Sequence, residues 1–149
     1  MQTKNFGTIE YQPDSELQFP RGLPGFDDRK RFVAVNFVES DPLVYLQSLD
    51  DPDLCFITMP VLAVDPSYRL NVDVEDLGEI GLSPACQPKI GEDVFCLAVL
   101  SMREAGPTAN LLAPIVINLK TRRAVQAIAA HSDYSHQFEL MPQEPAVCS

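Results

Sequence analysis

The chain is 149 residues long and 46% hydrophobic, and its 21 acidic and 11 basic side chains give a formal net charge of −10. This length favours one domain with an ordinary hydrophobic core, and the negative charge disfavours nucleic acid and anionic membranes as direct ligands. No run approaches the ~20 apolar residues of a membrane-spanning helix, and no apolar segment near Met1 indicates a signal peptide, so we expect a cytoplasmic protein.

The N-terminal part of the chain predicts short strands separated by turns. Residues 6–11 and 17–19 are short extended segments, with a loop at residues 20–27 that contains two prolines and two glycines. Residues 31–38 carry apolar side chains on both faces. We therefore expect this segment to be a strand that is covered on both sides.

An acidic turn, Asp50-Asp51-Pro52-Asp53, separates two further extended runs at residues 44–49 and 54–59. Two extended runs joined by a short turn predict a β-hairpin. Pro60 ends the second run, and residues 61–64 are expected to extend it at a sheet edge.

The best helix signal follows a segment, residues 68–72, in which apolar and polar side chains alternate as they do in a strand. Asp73 is a candidate N-cap, with a second aspartate three residues later, and Gly81 is a stop signal. Leu77 and Ile80 share one face between them. The segment predicts a helix of about two turns.

Two apolar segments in the C-terminal half predict the centre of the sheet. Residues 94–102 are the most apolar run and are expected to form a central buried strand. Residues 108–118 predict two short strands with a bend at Pro114, because proline restricts the residue before it. Asn110 and Asn118 flank the bend and are expected to bond backbone groups that are left unpaired there.

The last part of the chain is less regular. Residues 124–130 are ambiguous between helix and strand, residues 133–140 predict a final turn and edge piece, and residues 141–149 predict a flexible tail. Taken together, the elements predict an all-β fold, a small antiparallel β-barrel-like domain over residues 1–140 with one short helix.

No arrangement of cysteines or histidines indicates catalysis or a metal site. The four cysteines lack CxxC spacing and are expected to be reduced, with Cys55 and Cys96 packed in strands and Cys148 the most exposed. His131 and His136 lack a third ligand. The acidic turn lacks the ligand spacing of a calcium loop.

Motifs for nucleophiles and phosphate are missing as well. The sequence has no Gly-x-Ser-x-Gly elbow and no glycine-rich phosphate loop. Its one basic cluster, residues 120–123, is either a solvated turn or an anion site. We therefore predict no enzyme activity, no metal and no cofactor, and a protein that works by binding.

Four segments of the chain form a distinctive series: residues 19–26 (FPRGLPGF), 46–54 (LQSLDDPDL), 109–118 (ANLLAPIVIN) and 132–135 (SDYS). Their order and spacing resemble the flagellar assembly factor FliW family over nearly the whole chain, to about Leu140. The family often has an Arg-His pair near the end of the domain, where this chain has His136 without the arginine. Residues 124–130 are also richer in alanine than expected of a family strand.

This resemblance implies a small β-barrel-like protein without enzymatic activity and with two protein partners, flagellin and the translational repressor CsrA. In this family, flagellin that awaits export keeps the FliW protein bound. After flagellin is secreted, the free protein binds CsrA away from its RNA site and relieves repression of flagellin translation as an allosteric antagonist. We expect a monomer when free, and the alternatives are a flagellin-specific chaperone without the regulatory arm and a small-barrel ligand-binding protein or enzyme.

The acidic turn is expected to supply part of the binding face, because acidic side chains attract the basic surface of an RNA-binding repressor. The candidate protein-binding residues are Tyr45, Leu46, Asp50, Asp51 and Asp53. The alternative is that turn geometry alone accounts for these aspartates.

Overall fold

The computed structural model describes residues 2–4, 6–128 and 133–140. These residues form eleven strands and two short α-helices, with single 3₁₀ turns at Pro13–Ser15 and Val38–Ser40. The strands are β1 (Gln2–Thr3), β2 (Gly7–Thr8), β3 (Leu17–Gln18), β4 (Arg31–Val35), β5 (Val44–Ser48), β6 (Cys55–Pro60), β7 (Val94–Arg103), β8 (Gly106–Ala109), β9 (Ile115–Asn118), β10 (Ala124–Gln126) and β11 (Phe138–Glu139). The helices are α1 (Val61–Val64) and α2 (Val74–Glu79). None of the described helices is long and apolar enough to span a membrane.

One antiparallel sheet dominates the fold, with its strands in the order β10-β9-β7-β6-β5-β4-β3. β7 also pairs with β8, which in turn pairs with β11. The sheet curls until its two ends meet at one parallel bridge between Gln18 and Arg123, where the Gln18 amide donates to the carbonyl of Arg122 at 2.9 Å. The predicted all-β, barrel-like fold is confirmed, although this seam does not close into a full ladder.

Alternation along the central strands separates two hydrophobic clusters. The barrel cluster fills the space between the strands and consists of Leu17, Phe19, Leu23, Phe32, Val44, Leu46, Leu97, Ile115, Ile117 and Ala124. The helix-side cluster lies on the other face of β7, β9 and β10, where α1, α2 and the chain around them cover it; its members include Val61, Tyr68, Val72, Leu77, Ile80, Cys96 and Val116. All four residues of β9 are buried because both of its faces are covered.

The bend at Pro114 is built as predicted on the side of Asn110, whereas the prediction that Asn118 bonds backbone groups at this bend is wrong. The Asn110 side chain accepts hydrogen bonds from the amides of Leu112 and Ala113 at 3.1 and 2.9 Å. The buried Asn118 donates from Nδ2 to the carbonyl of Ile80 at 2.6 Å. This second bond ties the end of α2 to β9.

Helix α2 is confirmed with the predicted cap. The Asp73 side chain accepts from the amide of Asp76 at 2.9 Å, and Leu77 and Ile80 are buried in the helix-side cluster. Gly81 follows the helix with a φ of 79°, a conformation that glycine adopts without steric cost.

The loop at residues 20–27 is fixed by glycine and by an ion pair. A Cβ on Gly22, which has a φ of +67°, would lie 2.6 Å from the carbonyl oxygen of Phe26, so no larger residue fits there. Arg21 donates to the Asp76 carboxylate, and this bond raises the pKa of the guanidinium. The Arg21–Asp76 ion pair therefore holds the loop that follows β3 against α2.

Two sequence predictions between residues 60 and 75 are wrong. Residues 61–64 form α1 and do not extend β6, because Val61 is fully buried in the helix-side cluster and packing overrides its strand propensity. The alternation at residues 68–72 reflects burial of Tyr68 and Val72 without a strand. The backbone of Val72 bonds instead to the side-chain amide of Gln87, at 2.7 and 2.8 Å.

The structure determines the secondary structure of part of the C-terminal segment. Residues 124–126 are strand β10, so the described part of the ambiguous segment is not helical. The predicted edge piece is confirmed as β11, in which Phe138 pairs with Ala109. The tail predicted at residues 141–149, with Cys148, and the histidine at 131 lie outside the described residues.

Candidate protein-binding surface

The acidic turn between β5 and β6 is held from inside by two polar side chains. Ser48 Oγ accepts from the amides of Asp50 and Asp51 at 3.1 and 2.9 Å. The buried amide of Gln47 donates to the carbonyls of Ser48 and Pro52 at 3.0 and 3.3 Å. The turn is therefore a rigid structure whose shape follows from the sequence QSLDDPD.

The first two aspartates of the turn are paired with arginines. Asp50 accepts from the amides of Lys30 and Arg31 at 3.0 and 3.1 Å and from the Arg31 guanidinium at 3.0 Å. Asp51 accepts from Arg29 at 3.3 Å and from the amide of Asp53 at 3.0 Å. Partial burial alone would raise the pKa of Asp50, but these hydrogen bonds together hold it below its ordinary value. Much of the negative charge of the turn is thus compensated within the chain.

The five candidate residues divide by exposure. Asp53 is exposed, and none of the ion pairs between described residues involves it. Tyr45 is half-buried, whereas Leu46 is 0% exposed and belongs to the barrel cluster. Tyr45 lies about 10 Å along β5 from Ser48, where the turn begins. The structure therefore brings the three aspartates together but keeps Tyr45 apart from them and Leu46 inside.

Tyr45 instead belongs to an aromatic patch that the sequence does not reveal. Phe6 lies 5.3 Å from Tyr45 and 5.7 Å from Phe37 between ring centroids, and Phe37 lies 5.9 Å from Tyr45. Phe37 is 42% exposed and the neighbouring Val38 is 92% exposed. We call Phe6, Phe37, Val38 and Tyr45 the aromatic patch. Rings that are partly exposed in one place are typical of protein-binding surfaces.

Beside this patch runs an open groove of about 940 Å³, the edge groove. One wall is β4 and its continuation, residues 33–36, and the other is the N-terminal segment at residues 9–12 with Ser15. Val35 pairs with Tyr45 across the β4–β5 ladder. The groove therefore ends where the aromatic patch begins.

Two of the three described cysteines, the half-buried Cys55 and the buried Cys96, have thiols with raised pKa values. Burial raises the pKa of Cys96 to about 12 and that of Cys55 to about 11, so neither is a thiolate at neutral pH. Cys86 is exposed. Among the described residues, no group of three or more His, Cys, Asp or Glu side chains is placed to hold a metal ion.

The basic cluster forms the turn between β9 and β10. Asn118 Oδ1 accepts from the amides of Lys120 and Thr121 at 2.8 and 3.3 Å, and Arg122 has a positive φ of 65°. The carbonyl of Arg122 accepts the Gln18 amide at the barrel seam. This segment therefore has a structural role that accounts for its geometry.

Comparison with known proteins gives one consistent result. The family described as "FliW protein" matches residues 1–140. A protein of Heliobacterium modesticaldum named flagellar assembly factor FliW is 31% identical over 142 residues, which cover 95% of this chain and 90% of that protein. One of the same name from Desulfitobacterium hafniense (strain DSM 10664 / DCB-2) is 33% identical over 146 residues, covering 98% and 93%.

A solved structure agrees with the sequence comparison. It is described as the crystal structure of the flagellar assembly factor FliW, and it superposes with a TM-score of 0.82 at 31% identity. The match covers 95% of this chain and 96% of that one.

Proposed function

The chain belongs to the FliW family of flagellar assembly factors, and we propose that it acts by binding flagellin and, when free of flagellin, the translational regulator CsrA. The observation that carries this proposal is the match to the family over residues 1–140. The proposed work is done by protein contacts in the cytoplasm, without enzymatic activity, metal or cofactor.

The two interactions form a switch in which flagellin is the signal. Flagellin that awaits export occupies the protein. When secretion lowers the flagellin concentration, the free protein binds CsrA away from its RNA site, and flagellin translation resumes. A ligand shifts CsrA in this way only if it binds the RNA-free state more tightly than the RNA-bound state.

The charge of the chain supports the choice of an RNA-binding protein as partner. The net charge is −10, and a protein that holds RNA phosphates needs basic residues. Opposite charges steer two proteins together and fix their relative orientation. An acidic body bound beside an RNA site also raises the free energy of holding phosphates there.

Within the acidic turn, Asp53 is the aspartate best placed for a partner, because Asp50 and Asp51 are engaged with arginines. Asp53→Lys reverses an exposed charge and leaves the Asp50–Arg31 pair intact. We expect this variant to bind CsrA about threefold to tenfold more weakly at low salt. A matched control is Glu104→Lys, which reverses an exposed charge in the β7–β8 turn.

The test of the proposal is a competition experiment by isothermal titration calorimetry with purified flagellin monomers and CsrA from the same bacterium. We expect each to bind the native protein, and flagellin to prevent CsrA binding. Adding the protein to a CsrA–RNA complex should release RNA. If CsrA does not bind while flagellin does, the chain is a flagellin chaperone without the regulatory arm.

The ligand-binding alternative has less support. The barrel cluster occupies the space between the strands with large apolar side chains, among them Phe19, Phe32 and Leu97, all at 0% exposure. A small-molecule site of the usual kind needs a concave pocket with a few polar groups. If thermal stability rose with a small metabolite and not with either protein, the alternative would replace the switch.

A further inference from the structure

Most of the basic side chains of this acidic chain are concentrated beside the barrel seam. Six of its 11 lysines and arginines lie at residues 29–31 and 120–123. Gln18 pairs with Arg31 on one side, and its amide donates to the carbonyl of Arg122 on the other, so the two basic segments flank Gln18. A protein with a net charge of −10 therefore carries a local concentration of positive charge.

A row of three side chains forms the centre of this surface. Gln18 lies opposite Arg31 of β4 and opposite Arg123, which precedes β10. Residues directly opposite one another in a sheet share a face. Their neighbours in sequence belong to the barrel cluster: Leu17, Phe32 and Ala124. Alternation along each strand therefore directs Arg31, Gln18 and Arg123 to the outer face, where all three are exposed.

This row borders an open cavity of about 530 Å³ between the seam and α2, the seam pocket. Lys30 adds a third basic side chain to its wall, and Glu79 is the one carboxylate among the described residues that line it. On the other side of Gln18, a cavity of about 490 Å³ has two basic and two acidic lining residues: Lys120, Arg122, Asp14 and Glu16. The excess of positive charge is therefore in the seam pocket.

The basic side chains of the seam pocket are available for a further acceptor. Lys30 and Arg123 are exposed, and none of the ion pairs between described residues involves them. Arg31 bonds Asp50 but its side chain remains 49% exposed. Because a guanidinium has five N–H donors, Arg31 can bond a second anion as well. Two guanidinium groups and an ammonium group beside one cavity suit the binding of carboxylates.

We propose that the seam pocket binds an acidic segment of flagellin, whose carboxylates bond Arg123, Lys30 and Arg31. This inference rests on the proposed function, since it assigns a site to one of the two proposed partners. Charge selects between them. CsrA needs basic residues to hold RNA, and a positive pocket repels these residues. An acidic segment is attracted to the pocket and repelled by the acidic surface elsewhere, which fixes where it binds.

RNA itself is a less suitable occupant than an acidic segment of a protein. The same donors bind phosphate, but an RNA strand that entered the pocket would continue over the surface beyond it. That surface belongs to a chain with a net charge of −10, and it repels phosphates. A short run of carboxylates meets the positive charge without this penalty.

The test reverses two charges of the pocket and leaves the Asp50–Arg31 pair in place. In the variant Lys30→Glu with Arg123→Glu, both altered side chains are exposed, and the hydrogen bonds of these residues in the fold use their backbone atoms. The matched control is Lys89→Glu with Arg103→Glu, at two exposed positions outside the pocket. Each double variant changes two charges from +1 to −1 and takes the formal net charge from −10 to −14.

Isothermal titration calorimetry with purified flagellin monomers at about 50 mM salt compares the two variants. We expect the pocket variant to bind flagellin at least about tenfold more weakly than the native protein, and the control less than about threefold more weakly. CsrA should respond equally to both variants, because their net charges are equal. If the pocket variant binds flagellin as the control does, or loses CsrA binding selectively, the inference is overturned and the proposed function stands.

A second measurement uses the native protein and does not depend on a variant that folds. Acetylation of lysine side chains, followed by mass spectrometry, compares Lys30 with Lys89. At a flagellin concentration about ten times the Kd, mass action leaves about a tenth of the sites free, so modification of Lys30 should slow about fivefold or more while that of Lys89 is unchanged.

The outcomes of this measurement separate the inference from the proposed function. Flagellin that binds without slowing the modification of Lys30 overturns the inference and leaves the proposed function standing. Protection of Lys30 by an RNA oligonucleotide that CsrA recognises, and not by flagellin, would also overturn it. If the native protein binds no flagellin, the proposed function and this inference fail together.

Discussion

Asp50 belongs to a prominent acidic motif of the sequence, but its carboxylate forms hydrogen bonds within the chain and is not free for a partner. Its carboxylate bonds two amides at the start of β4 and the guanidinium of Arg31, so it fastens the acidic turn to a neighbouring strand. Composition predicts an acidic surface but not which carboxylates already have partners. Of the aspartates predicted for binding, Asp53 is the one left exposed and outside the ion pairs of the described structure.

We predict that Asp50→Asn destabilises the protein by about 1–2 kcal/mol at pH 7, because charge-assisted hydrogen bonds at a partly exposed site are weakened. The pKa of Asp50 is lowered in the folded state, so its contribution is present above the unfolded pKa of about 4 and is lost as pH falls through the folded pKa. Urea denaturation of both proteins at several pH values measures this.

The difference between the native protein and Asp50→Asn should be constant from about pH 7 to pH 5 and shrink below about pH 4. Asp53→Asn is the control, since no ion pair of the described structure involves Asp53. A pH-independent difference for Asp50→Asn would show that the charge of Asp50 does not stabilise the turn.

At the scale of elements, the sequence predicted the helix ends and bends that are formed by residues close together in the chain. Asp73 and Gly81 delimit α2, and Pro114 with Asn110 predicts the bend between β8 and β9. The failures have a different origin. Residues 61–64 became helical through burial of Val61 against β7, which is a contact between segments distant in sequence.

The candidate site was less predictable than the fold for the same reason. Phe6, Phe37 and Tyr45 come from three separate segments, and only the fold places their rings within 6 Å of each other. The seam pocket likewise forms only where the two ends of the sheet meet. Neither feature has a pattern within one segment that a reader of the sequence could detect.

We predict that Asn118→Ala destabilises the protein by about 2–3 kcal/mol, more than Asn110→Ala at about 1 kcal/mol. Asn118 is buried and bonds three backbone groups, including the carbonyl of Ile80 at the end of α2. Asn110 bonds two amides within its own turn. Urea denaturation with a shared m-value measures both, and equal losses would contradict the role of Asn118 as the link between α2 and β9.

At the scale of the whole molecule, the net charge makes a kinetic prediction. With a net charge of −10, the association rate constant with CsrA, the proposed partner, should fall at least about tenfold between roughly 50 and 500 mM salt, while the dissociation rate changes much less. Stopped-flow fluorescence measures both rates. Uncharged sucrose at matched viscosity is the control, and an association rate insensitive to salt would argue against electrostatic steering.

The two ends of the sheet meet at Gln18, and this seam is where we expect the barrel to open transiently. Among the described residues, one bridge joins the two ends of the sheet, whereas neighbouring strands within the sheet are joined by ladders of two or more residue pairs. Because local openings follow the fewest broken contacts, the Gln18 amide should exchange with deuterium well before those of β7, without global unfolding. Transient opening of this seam would expose Leu17 and Phe19 of the barrel cluster, which makes the seam the expected starting point for proteolysis or aggregation of the protein.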